Sequence, residues 1–213
     1  MRNKSFEFEN LFFQHCSPDR ISKFLIQFEL FSKVKNLRGE ICELGIFKGN
    51  SFIRLAIFRK ILNKKNFLIG FDTFGNFPKA HNKSDHLLRK KFIQEAGSKS
   101  ISTKELKKIL KRKNCLKKIK LVKGDVLKTL PIFLKKNKNI KISLINLDLD
   151  LYEPSKMALD LLFPKLVNKG IIILDNFNNF FGETKAVKEF CKKKFLKVKN
   201  EIILNKKIYY IQK

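Results

Sequence analysis

The chain has 213 residues, 44% of them hydrophobic, which suits one domain with a full core and excludes a disordered chain. No apolar run reaches the ~18 residues of a membrane span, and residues 1–10 are too polar for a secretory signal. Lys and Arg number 47 against 19 Asp and Glu, a net charge of +28.

That charge has three candidate sources. The first is compositional bias, since Lys, Asn, Ile and Phe abound, Phe reaches 22 and Trp is absent, as AT-rich codons would write. The second is an anionic substrate such as a nucleotide or phosphorylated compound, and the third is nucleic acid. The lysines run along the whole chain and lack the aromatic interleaving of a base-stacking platform, which makes nucleic acid the weakest of the three. Cys16, Cys42, Cys115 and Cys191 show no CxxC or zinc spacing. Unpaired thiols fit a reducing cytoplasm.

Residues 1–18 read as a polar, aromatic-containing lead-in. Asp19 is placed to cap a helix over 20–35, with Ile21, Phe24, Leu25, Phe28, Phe31 and Val34 on one face as core or as a contact between subunits. Residues 40–44 predict the first strand, followed by Glu43-Leu44-Gly45-Ile46-Phe47-Lys48-Gly49-Asn50-Ser51 and a helix to about 62. A strand, a glycine turn and a helix N-terminus bring backbone close to a ligand. The spacing E-x-G-x-x-x-G is neither the dinucleotide fingerprint nor a P-loop.

A second strand over 66–71 ends at Asp72, where a carboxylate can accept from a ribose diol or cap a turn. Residues 73–100 read as an irregular lid carrying His81 and His86. Ser102 and Glu105 form a capping box at the start of a basic helix running to about 112. A third strand over 118–123 ends at Gly124-Asp125. The next helix spans about 126–136, and Pro131 suggests a start nearer Thr129.

Residues 142–147 are continuously apolar apart from Asn146, the pattern of a strand buried on both faces, and lead to Asp148 and Asp150. Glu153-Pro154 opens a helix that Pro164 ends. The strand 171–174 leads to Asp175-Asn176 and the loop 176–181, followed by a helix over 183–195. Residues 196–213 read as a closing antiparallel pair. Alternating strands and helices predict an α/β fold, a mostly parallel sheet with helices on both faces in a single domain. If the strands before Asp148 and Asp175 are neighbours, Asp148, Asp175 and Asn176 converge and offer hard oxygen ligands to a magnesium-sized cation.

Four acidic strand ends and one glycine turn, in this order, resemble the class I S-adenosylmethionine-dependent methyltransferases. The segments RGEICELGIFKGNSF, IGFDTFGNFP, VKGDVLKTLP, LINLDLDLYEPSKMALDLLFPKL, GIIILDNF and GETKAVKEF narrow the resemblance to the macrocin-type sugar O-methyltransferases. It covers about residues 38–194 and implies a Rossmann-like domain with a C-terminal antiparallel strand.

The resemblance further implies that Glu43, Gly45, Gly49 and Ser51 belong to the cofactor's glycine motif. Asp72 would hold the ribose hydroxyls, and Asp125 would lie near the adenine amino group. Asp148, Asp175 and Asn176 would hold magnesium, with Asn176 where many sugar-methylating relatives carry a second Asp. The acceptor would be a sugar hydroxyl, that of a nucleotide-linked 6-deoxyhexose methylated at its 3-position, with another small molecule or a surface polysaccharide as the alternative. The lysine that follows the metal aspartate in the catechol enzyme is Leu151 here, which leaves Asp150, His81 and His86 as candidate bases. Relatives are often oligomers, and the N-terminal helix is placed to mediate that contact.

Overall fold

The computed structural model describes residues 4–78 and 83–213. Among them seven strands form one sheet: β1 (Glu40–Leu44), β2 (Leu68–Asp72), β3 (Ile119–Lys123), β4 (Ile142–Leu147), β5 (Leu166–Leu174), β6 (Lys199–Ile203) and β7 (Lys206–Gln212). Their spatial order is β3-β2-β1-β4-β5-β7-β6. The first five are parallel, and β7 runs antiparallel to both β5 and β6. The order reverses between β1 and β4, where diverging crossovers open a crevice at the carboxyl edge.

Among the described residues, eight α-helices accompany the sheet: α1 (Ser5–His15), α2 (Pro18–Lys33), α3 (Asn50–Ile61), α4 (Lys83–Ala96), α5 (Thr103–Arg112), α6 (Val126–Lys136), α7 (Tyr152–Leu162) and α8 (Phe181–Lys194). One core holds Ile26, Leu30 and Phe31 of α2, Phe52 and Phe58 of α3, and Leu106 and Leu110 of α5. The other holds Leu130 and Phe133 of α6, Ala158 and Leu162 of α7, and Val187 and Phe190 of α8. β4 is buried along its whole length between these two layers.

Several boundaries differ from the sequence expectations. The N-terminal lead-in contains α1, which buries no side chain. Ser17 caps α2 by accepting from the Asp19 amide, so the helix starts earlier than expected. Its buried stripe includes Ile26, Leu30, Phe31 and polar Gln27, whereas Phe24 and Leu25 face solvent. The period was legible, but its phase depends on which layer the helix meets. Residues 83–96 of the expected irregular lid form α4. The helix capped by Asp125 runs through Pro131, which sits on its exposed side, where the lost backbone bond can be replaced by water. β5 begins at Leu166, ahead of the expected 171. Residues 196–198 lie outside the closing hairpin. Among the described residues, no helix is long and apolar enough to cross a membrane.

Candidate active site

A cavity of about 700 Å³ opens at the carboxyl edge of the sheet, over the point where the strand order reverses. The turn after β1 forms part of its wall. Gly45 and Gly49 adopt φ of +85° and +87°, conformations that disfavour a side chain. Gly49 is the N-cap of α3. Gly45 has a second constraint, because a Cβ there would overlap the Asp148 carbonyl oxygen at the end of β4. The two central strand ends can therefore meet only at a glycine.

Asp72, at the end of β2, organises the same turn. Its Oδ2 accepts from the Ile46 and Phe47 amides at 2.8 and 3.0 Å, and its Oδ1 accepts from the Phe74 amide at 2.6 Å. It still lines the cavity, as does Asp125, whose Oδ1 caps α6 through the Leu127 amide at 2.9 Å. A carboxylate has about four acceptor positions: Asp125 retains several for ligand amino groups, while Asp72, with three amides and the Thr73 hydroxyl 3.4 Å from its Oδ1, retains at most one for a ligand hydroxyl.

Glu43 lies beneath this surface. It is fully buried and accepts from the Ser51 hydroxyl, and Ser51 rather than Glu43 is among the cavity-lining residues. Asn146 faces Glu43 across the β1–β4 pairing. The Asn146 amide is near enough to ease the Glu43 charge, yet neither of its atoms closes a well-formed hydrogen bond. Burial, opposed by the Ser51 hydrogen bond, pushes the Glu43 carboxyl up to about 8.

A pH dependence follows. The folded state holds the Glu43 proton between the ordinary value of 4.5 and about 8, while the unfolded chain releases it. Stability therefore falls as pH rises through that window. At about 1.4 kcal/mol per pKa unit, the Glu43 share is on the order of 3–5 kcal/mol. Urea denaturation at pH 5 and pH 8.5 should show Glu43→Gln losing less stability than the parent chain by a substantial part of that amount. Equal losses in the two proteins would overturn the assignment.

The opposite wall carries the carboxylates. Asp148 follows β4, and Asp175 and Asn176 follow β5, its parallel neighbour. Asn176 Nδ2 donates to Asp148 Oδ1 at 2.6 Å and to Asp150 Oδ1 at 2.5 Å. Asp150 has φ of +61°. Burial, with Asp175 and Asp150 nearby, raises the Asp148 carboxyl well above its ordinary range. Burial, with Asp175 and Asp85 nearby, lifts Asp150 to about 7. Glu183 of α8 supports the group from behind, accepting from the Asn176 amide at 3.0 Å and the Leu149 amide at 3.3 Å.

Concentrated buried acid of this kind favours a cation. Among the described residues, no three His, Cys, Asp or Glu side chains form a ready-made metal cluster. Two carboxylates and the Asn176 amide are nevertheless a hard-oxygen set that fits magnesium once the amide turns to present its oxygen in place of the Nδ2 that now faces Asp148 and Asp150. The turn, Asp72, Asp125 and the cavity size likewise fit an adenosyl cofactor.

Residues from the N-terminal helix complete the wall, which the sequence argument did not anticipate. Lys23 of α2 donates to Asp175 Oδ2 at 2.7 Å. Gln27 Nε2 donates to Asp175 Oδ1 at 3.4 Å, and Arg54 Nε of α3 donates to Gln27 Oε1 at 2.9 Å. Arg20, Lys23 and Gln27 recur at spacings of three and four, so they share one helix face. The only sequence signal was this polar stripe beside the apolar one. Phe92 of α4 lines the cavity and packs against Phe47, Phe77 and Phe180, with ring centroids 5.1, 5.3 and 6.1 Å away. His86 is exposed on α4 and is not among the cavity-lining residues, and His81 lies outside the described residues.

The macrocin O-methyltransferase (TylF) family pattern matches residues 25–212. Among curated protein sequences, none matches. The fold is similar to that of CalS11, a calicheamicin methyltransferase, with a TM-score of 0.82 and 24% identity over 100% of this chain and 86% of that one. A second structure of CalS11, described as a TDP-rhamnose 3′-O-methyltransferase, gives 0.70 and 22% over 100% and 87%. The O-methyltransferase NovP gives 0.72 and 19% over 87% and 79%. An O-methyltransferase from Bacillus cereus, solved with S-adenosylhomocysteine (SAH), gives 0.58 and 15% over 93% and 83%. The sheet order, the glycine turn and the family match over most of the chain agree: this chain belongs to the macrocin O-methyltransferase (TylF) family and is an S-adenosylmethionine-dependent O-methyltransferase.

Proposed function

We propose that the chain methylates a sugar hydroxyl, that of a nucleotide-linked 6-deoxyhexose at its 3-position, with magnesium in the site. The observation that carries this reading is the sharing of one cavity by the glycine turn and by Asp148, Asp175 and Asn176. The activity of the similar CalS11 on TDP-rhamnose supports the acceptor class.

S-adenosylmethionine supplies the methyl group, passed in line from its sulfonium to the acceptor oxygen. Gly45, Gly49 and Ser51 would cradle its methionine part, Asp72 would take the ribose hydroxyls, and Asp125 would take the adenine amino group. Glu43 acts from below by holding Ser51. Magnesium, held by Asp148, Asp175 and the Asn176 amide oxygen, would lower the pKa of a hydroxyl bound to it. The strand ends orient the acceptor, and α4 with Phe92 excludes water as a lid. Asp150 would receive the hydroxyl proton, a role supported by its position in the cavity lining beside Asp148.

Two further parts of the reading rest on other residues. The exposed Phe6, Phe8, Phe12 and Phe13 of α1 support a homo-oligomer built through that helix. The cysteines, all free, support work in the reducing cytoplasm.

The test is methyl transfer from labelled S-adenosylmethionine to a panel of nucleotide-linked sugars. We expect turnover with a nucleotide-linked deoxyhexose, its loss in EDTA and its return with added magnesium. Full activity in EDTA would remove the metal from the mechanism, and methylation of unlinked acceptors alone would remove the nucleotide sugar.

A further inference from the structure

Two guanidinium groups in the cavity wall have no assigned work. Arg20 is exposed at the start of α2 and lines the cavity, and its guanidinium makes no hydrogen bond or ion pair among the described residues. Arg54 of α3 is half-buried and uses only its Nε, on Gln27. Its Nη groups have no protein acceptor among the described residues. The two side chains are close enough for Arg20 to oppose the charge on Arg54, while Asp175, Glu43 and Asp148 favour it without closing an ion pair. The neighbouring Lys23 differs, because it is already neutralised by Asp175.

Like charges held together over a cavity repel each other unless an anion joins them. Free planar N–H forks suit phosphate oxygens in paired, charge-assisted hydrogen bonds. Arg54 is linked through Gln27 to Asp175, so the pair lies beside the carboxylates and on the α2 side of them. The phosphates of an acceptor whose sugar reaches Asp148 and Asp175 would fall there. We propose that Arg20 and Arg54 form an anion subsite for the diphosphate of the acceptor, so that recognition depends on the nucleotide linkage as well as on the sugar. This rests on the function proposed above.

The experiment is calorimetric titration of the SAH-loaded protein with thymidine diphosphate, inorganic pyrophosphate and thymidine. Thymidine diphosphate and pyrophosphate are expected to bind, and thymidine to bind at least ~10-fold more weakly than the diphosphate. Each charged hydrogen bond lost is worth about 1.5–3 kcal/mol, or about 10- to 100-fold in affinity. Arg20→Ala should therefore weaken thymidine diphosphate about 10-fold, and Arg20→Ala with Arg54→Gln about 100-fold. SAH affinity should stay within about twofold of the parent value. Arg20 is exposed, so its replacement leaves the fold intact, and Arg54→Lys provides a milder second variant.

Unchanged diphosphate affinity in both variants would overturn the subsite. Loss of SAH binding instead would overturn it too, by giving the arginines to the cofactor's carboxylate. The function proposed above fails separately: if no sugar is methylated while diphosphate binding still depends on the two arginines, the subsite stands and the sugar reading falls.

Discussion

Asp148→Ala and Asp175→Ala each abolish methyl transfer, with a loss of ~1,000-fold or more, while SAH still binds within a few-fold of the parent affinity. The separation arises because these carboxylates serve the acceptor side of the cavity. The contact between Asp148 and the glycine turn runs through the Asp148 backbone, which alanine preserves. The Asp148 carboxyl is held well above its ordinary range by burial and by Asp175 and Asp150, so folding must either bury its charge or take up a proton, and its removal lifts that cost. Thermal unfolding should therefore place Asp148→Ala at or above the parent midpoint. Turnover and SAH titration on the same preparations decide the point: a variant retaining more than a tenth of parent turnover would remove Asp148 from the reaction.

Gly45→Ala has the largest expected effect on stability. Its φ of +85° disfavours any side chain, and a Cβ there would overlap the backbone carbonyl of Asp148. Neither partner is a flexible side-chain tip, so β1 and β4 would have to part where their ends carry the site. The cost is on the order of 4 kcal/mol, in the range that marks a named steric defect, with loss of SAH binding. A midpoint within one or two degrees of the parent would show that the strands adjust freely. Gly49→Ala is the milder control: its φ is also positive, but the nearest obstacle is the Leu106 side chain at 3.2 Å.

Much of the site could be read from the chain because parallel strands put their following residues on one edge. Asp72, Asp148 and Asp175 each come directly after an apolar run, and Asp125 stands one glycine beyond the β3 segment I-K-L-V-K, so alternation of strand and helix was enough to gather them. The capping box at Ser102 was legible for a similar reason, since the Glu105 amide is three residues from the Ser102 hydroxyl that accepts from it. Local rules carry local geometry.

The misplacements have the opposite character. α4 is a weakly amphipathic, strongly polar segment, and the sequence around it is rich in loop-forming residues, so its helix was not apparent. Its place beside the site comes from Phe92 packing on three distant rings and from Asp85 accepting from the Tyr152 amide at 3.1 Å. The phase of α2 was misread because Phe24 and Leu25 look like core, whereas the helix instead buries Gln27 toward Asp175.

The sequence by itself determined the fold class, the family and the set of acidic strand ends, because strand periodicity, glycine spacing and motif order are properties of neighbours in the chain. Tertiary structure alone decided that Glu43 lies under Ser51, that Gly45 must be glycine to pass Asp148, and that Arg20, Lys23, Gln27 and Arg54 join the site. The Gly45 contact depends on the pairing of β1 with β4, and the others on the angle at which α2 and α3 meet the sheet. That angle is set by packing among residues far apart in the chain, a sum of many small contacts that no local pattern encodes.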